Sequence, residues 1–210
     1  LLTVAIGVPC GIVAAIRANT WVDQAVLTVA LIGVSVPNFW LSLMLIVLFG
    51  VMLDWLPAGG YVPFADNPVE WVRSLILPGI SLALLQIGLL ARMTRATVLE
   101  ILQQDYIRTA RAKGLPRLMV IGKHVLKNVL VPVVTVIGIS FGLLLSGSVV
   151  IETVYSIPGM GRLLANAIFG RDYPLIQGGL LITAAVLVLL NLVVDVLYAV
   201  IDPRIQYDQR

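Results

Sequence analysis

The sequence predicts an all-α membrane protein, a polytopic helical bundle, and three observations predict it. Hydrophobic residues make up 60% of the 210-residue chain and charged residues only 12%, too little polar surface to cover a soluble domain of that size. Mean hydropathy is +1.02, and the apolar residues fall in long blocks, as a hydrocarbon layer about 30 Å thick requires. Positive charge gathers in one of the connections between those blocks, as it does on the cytoplasmic side of membrane proteins.

Five apolar spans follow, at about 1–16, 25–53, 75–91, 129–151 and 178–201, each read as a helix crossing the bilayer at 1.5 Å per residue. The first begins at Leu1-Leu2-Thr3 with no initiator Met, no basic n-region and no small-residue cleavage site, so the chain reads as a fragment lacking an N-terminal portion. The second is generous for one crossing and is expected to tilt; the third is near the lower limit. Pro9, Pro37 and Pro132 lie in or beside apolar runs and are expected as kinks, in the service of gating or of bundle shape. Gly138, Gly142 and Ser146 recur every fourth residue of the fourth span. That small-residue stripe permits close helix approach, either within the chain or to another subunit.

The connections set orientation. Between the third and fourth spans stand Arg92, Arg95, Arg108, Arg111, Lys113, Arg117, Lys123 and Lys127 against Glu100 and Asp105, which places 92–128 in the cytoplasm. The loops at 54–73 (Arg73 against Asp54, Asp66 and Glu70) and 152–177 (Arg162 and Arg171 against Glu152 and Asp172) then lie outside. Counting crossings puts the 17–24 turn and the C-terminal tail inside, in agreement with Arg17 and Arg204. Trp55, Tyr61, Trp71, Tyr155 and Tyr173 suit an outer interfacial belt. Residues 1–210 read as one transmembrane domain, with no repeat, low-complexity tract or soluble domain.

Catalytic chemistry is hard to place on this chain. Net charge is +3, but the basic residues separate apolar spans instead of forming an aromatic-rich face, so no nucleic-acid partner is expected. Cys10 is the only cysteine, which excludes an internal disulfide and a cysteine metal site; its neighbours make it a lipid- or helix-facing small residue. His124, the single histidine, stands between Lys123 and Lys127, poor surroundings for a metal ligand or general base. No Gly-x-Ser-x-Gly elbow is present. Gly122-Lys123 is not a phosphate-binding loop, because Arg117 occupies the leading glycine position and His124 that of the Ser/Thr. Any ATP that powers the protein is hydrolysed by another chain. Inside the spans the ionisable or polar candidates for a substrate pathway are Asp195, Gln86 and Asn191. Asp195 stands near the cytoplasmic end of the last span, where snorkelling or pairing with a basic loop residue explains it better than a place in the pathway.

The positive signal lies at about 100–128. Within Tyr106-Ile-Arg-Thr-Ala-Arg-Ala-Lys-Gly114, helical spacing puts Ile107, Ala110 and Gly114 near one face, while Arg108, Arg111 and Lys113 fan around the rest. Gly114-Leu-Pro116 is a helix stop. Two readings of the residues fit, a short helix inserted into a groove on a soluble partner and an interfacial helix lying on anionic lipid.

Here the sequence resembles a known family. Arg108-Thr-Ala-Arg-Ala-Lys-Gly114, with His124-Val-Leu-Lys-Asn128 and Pro132, is similar to the cytoplasmic signature of ABC-importer permeases. The similarity is to the dipeptide/oligopeptide/nickel branch. The general signature is Glu-Ala-Ala, three residues, Gly, nine residues, Ile-x-Leu-Pro. Aligned on Gly114, Arg108 stands for the Glu, Thr109 for the first Ala, His124 for Ile and Lys127 for Pro, while Ala110 and Leu126 match. Those departures are what the peptide-permease branch looks like. Glu152-Thr-Val-Tyr-Ser-Ile-Pro-Gly-Met-Gly-Arg162, running on to Arg171-Asp-Tyr-Pro174, resembles the outer loop of that branch, and Ser35-Val-Pro-Asn-Phe-Trp40 an earlier helix.

The resemblance implies a type I ABC importer permease fold with about five transmembrane helices in this fragment, its first helix missing, in a bacterial or archaeal plasma (inner) membrane. It implies a subunit without catalytic residues, metal or cofactor of its own. Its expected partners are a homologous second permease, two cytoplasmic subunits that bind ATP and Mg, an extracytoplasmic substrate-binding protein, and membrane lipid. Tyr106, Arg108, Thr109, Ala110, Arg111, Lys113 and Gly114 would couple to the ATPase. Glu152, Tyr155, Pro158, Gly159 and Arg162 would lie at the outer gate or contact the binding protein. The competing class is a stand-alone secondary transporter or channel, which sparse intramembrane charge disfavours.

Overall fold

The computed structural model describes residues 2–116, 119, 122, 129, 133–134, 137–138, 140, 142 and 148–201, and all regular structure among these is helical. Helix α1 covers Leu2–Ile16, about 22 Å. Taken by itself it is shorter than the hydrocarbon core, so the crossing expected at 1–16 is not completed by these residues alone. It ends in a turn where Asn19 takes φ 63° and Thr20 Oγ1 donates to the Arg17 carbonyl at 2.6 Å.

The single tilted crossing expected at 25–53 is instead broken. Helix α2 covers Trp21–Ser35 and α3 covers Asn38–Leu45, continuing as a π-helical stretch over Ile46–Met52. The two arms meet at 101°. Pro37 is the cause: it lacks an N–H and its ring drives the preceding residue out of the helical region. Val36 accordingly takes φ −81°, ψ 125°.

The span expected at 75–91 is only the middle of α4, which covers Pro68–Leu102, about 52 Å. Its early start has a local origin. Asn67 Oδ1 accepts from the Val69 and Glu70 N–H groups at 3.1 and 3.2 Å, Pro68 takes the first helical position, and Glu70 puts an acid in the first turn. Residues 68–73, expected in an outer loop, and Arg92, Arg95 and Glu100, expected in a cytoplasmic one, are therefore helical. Pro78 sits buried inside this helix.

Helix α4 is the hub against which α1, α2, α3 and α5 (Asp105–Ala112) pack. Glycines set the closest approaches. A Cβ on Gly11 of α1 would lie 2.5 Å from the Ala91 carbonyl oxygen and 2.6 Å from Thr94 Cβ; one on Gly88 would lie 2.5 Å from the Ala30 carbonyl oxygen of α2. Gly138, from the small-residue stripe, faces inward, its Cβ position 3.0 Å from Val194. Ser146 lies outside the described residues.

Two apolar cores stand at opposite ends of α4. One gathers Ala15, Leu90, Val98, Ile101, Ile107 and Ala110 with Val129 and Val133; the other gathers Leu77, Ile151 and Tyr155 against Leu45, Phe49 and Leu56. The loop expected at 152–177 is largely helical. Residues 148–154 are helical, α6 covers Met160–Gly170, and α7 covers Tyr173–Ile201, starting five residues before the expected 178. Arg171, at φ 55°, makes the corner between them, and Asp172 Oδ1 accepts the Leu175 N–H at 3.1 Å.

Candidate functional site

The basic insert forms α5 directly beyond the end of α4. The Ile107 and Arg108 N–H groups bond the Gln104 carbonyl at 3.0 and 3.2 Å, so only a tight turn separates the two helices. Ile107 is fully buried and Ala110 nearly so, among Val98 and Ile101 of α4, Ala15 of α1, Val129 and Val133. Burial of an isoleucine side chain stabilises by about 1.5–3 kcal/mol, enough to hold an eight-residue helix that would be marginal alone.

Tyr106, Arg108, Thr109 and Lys113 point away from that core and are exposed. Arg108 reaches Asp105 only at 3.6 Å, with both side chains mostly in solvent, a pairing that contributes little. Thr109 Oγ1 donates back to the Asp105 carbonyl at 2.9 Å. The side chain of Arg111 lies outside the described residues, as do His124, Leu126, Lys127, Asn128 and Pro132. Gly114 takes φ 78° and the Leu115 N–H reaches back to the Ala110 carbonyl at 3.3 Å, the closing bond of a Schellman turn. Leu115 then packs on the same core. Ala110 thus anchors the helix to the bundle, and Arg108 and Lys113 stand on its outward face.

An ion pair that the sequence analysis missed stands nearby. Asp23, in the first turn of α2 and 2% exposed, accepts from Arg95 Nε at 2.5 Å and Nη2 at 2.7 Å, and from the Asn19 N–H at 2.9 Å. A bidentate carboxylate–guanidinium pair with a further backbone donor satisfies a buried acid. It also brings the 17–24 turn to the 92–128 side of the bundle, as the crossing count requires. The available signal was an acid opening an apolar run with a basic residue near the end of the next span.

At the other end, residues 152–162 form a built turn. The Glu152 carboxylate lies at the start of α6, where Oε2 accepts the Arg162 N–H at 2.8 Å, and the Glu152 carbonyl accepts the Ile157 N–H at 2.8 Å. An acid at a helix N-terminus meets unsatisfied N–H groups and the positive end of the dipole. A Cβ on Gly159 would overlap the Glu152 carboxyl carbon, so glycine there makes room for the carboxylate. Tyr155, expected in an exposed aromatic belt, is 1% exposed. Its hydroxyl meets Ser81 Oγ at 3.0 Å and donates to the Ser42 carbonyl at 3.3 Å, and its carbonyl accepts the Gly60 N–H at 2.8 Å. Burial pushes the phenol above its ordinary value, partly offset by the bonds to Ser81 and Ser42. Pro158 and Gly159 line an open hollow of about 570 Å³ with Arg162 and Asn166. One turn thereby ties α3, α4, the 54–60 loop and α6 together.

The three pathway candidates are not brought together. Gln86 is 2% exposed and its Oε1 accepts from Ser140 Oγ at 3.2 Å, a bond between helices within the bundle. Asn191 and Asp195 stand on the exposed side of α7. Among the described residues no group of three His, Cys, Asp or Glu side chains comes together to hold a metal ion.

Comparison with known proteins adds the following. Residues 7–207 match the family described as binding-protein-dependent transport system inner membrane component. A protein of Brucella abortus (strain 2308), named as a peptide transport system permease, is 51% identical over 207 residues, 99% of this chain and 66% of the relative. The dipeptide transport system permease protein DppB of Alkalihalophilus pseudofirmus is 45% identical over 99% of this chain and 68% of its own length. That of Escherichia coli (strain K12) is 42% identical over the same shares. The chain thus spans just under two thirds of the Brucella protein. Among solved structures, an inward-facing MetNI methionine ABC transporter chain superposes with a TM-score of 0.75 over 95% of this chain and 88% of that one, at 19% identity; the likeness is one of fold.

Proposed function

The chain belongs to the family of binding-protein-dependent transport system inner membrane components, and from that premise we propose that it is the permease subunit of an ATP-driven importer of peptides or related small solutes. It lines the translocation pathway with a homologous second permease, and it has no catalytic role or cofactor of its own. Two cytoplasmic subunits bind ATP and Mg, and an extracytoplasmic binding protein delivers the solute. The observation that carries this reading is α5. A rigid partner can move a membrane bundle only through an element that is docked outward and anchored inward. In α5, Arg108 and Lys113 face out while Ile107, Ala110 and Leu115 are packed into the core of α1 and α4. Closure of the ATPases would then displace α1 and α4 along with α5. The turn from Glu152 through Tyr155, Pro158 and Gly159 to Arg162 supports an outer gate or binding-protein contact, because it couples α6 to both α3 and α4.

The test is crosslinking in native membranes from Arg108→Cys, with Cys10 replaced. Ala110 is the wrong place for the reporter, because its side chain faces the bundle. The expected result is an adduct to an ATPase subunit whose yield changes with nucleotide. Labelling by aqueous or lipid-phase reagents with no such adduct would return α5 to a lipid-surface helix and the chain to a stand-alone carrier or channel.

A further inference from the structure

Between α1, α2 and α4 runs a cavity of about 520 Å³ that belongs neither to the coupling helix nor to the outer turn. Its wall is aliphatic, with Ile6 and Cys10 from α1, Val26 and Ala30 from α2, and Leu84 and Ile87 from α4. Along α4 it extends from Ile80 to Ala91, about 17 Å at helical rise. That is close to one leaflet of a hydrocarbon core about 30 Å thick. Volume over length gives a mean cross-section of about 30 Å². A single extended hydrocarbon chain fits.

Two arginines stand beyond the cytoplasmic end of the cavity, one of them paired. Leu2, Ile6 and Cys10 follow one another at four-residue spacing on the cavity side of α1, and Arg17, seven residues after Cys10, continues that side and is exposed. On α4, Arg95 lies one turn beyond Ala91 and is fixed there by Asp23. Trp21, 79% exposed, opens α2 at the same level, a suitable residue for the headgroup boundary.

We propose that this cavity is a lipid site, holding one acyl chain of an anionic phospholipid from the cytoplasmic leaflet with its phosphate beside Arg17. The aliphatic wall selects hydrocarbon, the length selects one leaflet, and Arg17 selects negative charge, since Arg95 is already neutralised by Asp23. The site rests on the orientation that puts the 17–24 turn inside and is independent of the transport reading.

The experiment uses the full protein in its complex, reconstituted in phosphatidylethanolamine vesicles. A phosphatidylglycerol probe with a photoreactive group midway along one acyl chain is added at increasing mole fraction. Adducts are mapped by peptide mass spectrometry. The expected result is labelling at Ile6, Cys10, Val26 and Ile87 that saturates with probe. It should fall about tenfold in Val29→Trp, which places bulk on a residue lining the cavity. Arg17→Gln should abolish the preference over the same probe with an ethanolamine headgroup, while retaining labelling. Labelling that rises linearly without saturation overturns the site, as does a photo-adduct from Cys10 to another polypeptide. An unchanged headgroup preference in Arg17→Gln overturns the charge recognition. Because the readout is lipid labelling, its failure is distinct from a failure of α5 to reach an ATPase.

Discussion

Gly114 offers the sharpest test of how α5 works. It takes φ 78°, and a Cβ added there meets nothing within 4 Å. A substitution therefore acts through backbone conformation and not through a clash. The left-handed region costs an L-residue roughly 1–2 kcal/mol, with β-branched residues at the upper end and Asn below the lower. Gly114→Val should thus disfavour the closed turn by about 2 kcal/mol, roughly 30-fold in its population. The Leu115 N–H bond to Ala110 would open more often, and with it Leu115 would leave the core it shares with Ile107. ATP hydrolysis and solute uptake measured together in proteoliposomes should show hydrolysis retained and uptake per ATP reduced between about 5- and 30-fold. Gly114→Asn should restore most of the ratio. Normal uptake per ATP in Gly114→Val would refute the coupling role, and a Gly114→Asn variant as impaired as Gly114→Val would show that the left-handed turn is not what matters.

Other perturbations test the bundle and its two ends. Gly11→Ala forces a methyl against the Ala91 carbonyl and Thr94 and should destabilise by about 1–3 kcal/mol, read as a lower midpoint of thermal unfolding in detergent; an unchanged midpoint would mean that α1 does not approach α4 so closely. Asp23→Asn leaves the Arg95 guanidinium without its carboxylate and should cost up to about 3–5 kcal/mol, with partial recovery when Arg95→Gln is added. Tyr155→Phe removes the hydroxyl shared by Ser81 and Ser42 and should cost about 1 kcal/mol, measured by the same unfolding assay. Charge reversal by Arg108→Glu with Arg111→Glu should weaken ATPase association, most strongly at low salt; unchanged co-purification at low salt would favour a lipid-surface role for α5.

Much of the local structure was legible from the chain. The amphipathic pattern of 106–114 grouped Ile107 with Ala110 on one face, as the helical period requires, but it did not say that this face is buried in the bundle, and Ala110, expected to couple to the ATPase, is packed inward. Gly114 was legible as its stop, since few other residues hold a left-handed corner. Membrane residence followed from hydropathy, and family membership was legible in the motifs at 108–114 and 152–162. The ends of helices were read less well. Hydropathy marks what lies in hydrocarbon, whereas α4 extends beyond it at both ends because Asn67 and Pro68 cap it early and its charged last turns remain helical. The 152–177 segment was read as loop for the same reason, since α6 is too short and too mixed to stand out as a span.

Composition and local pattern by themselves determined that this chain is a helical membrane protein and that its basic segment is a short amphipathic helix stopped at Gly114. Those are properties of residues within a few turns of one another. Only the tertiary structure decided that Pro37 breaks a span by 101°, that Asp23 meets Arg95 across 72 positions, and that Tyr155 is buried between Ser42 and Ser81. It likewise decided that Ala110 is an anchor and that α1, α2 and α4 leave a cavity one leaflet long. Each of these depends on the distance between atoms far apart in the chain, which is set by how glycine-lined helices pack and not by the period of any one of them.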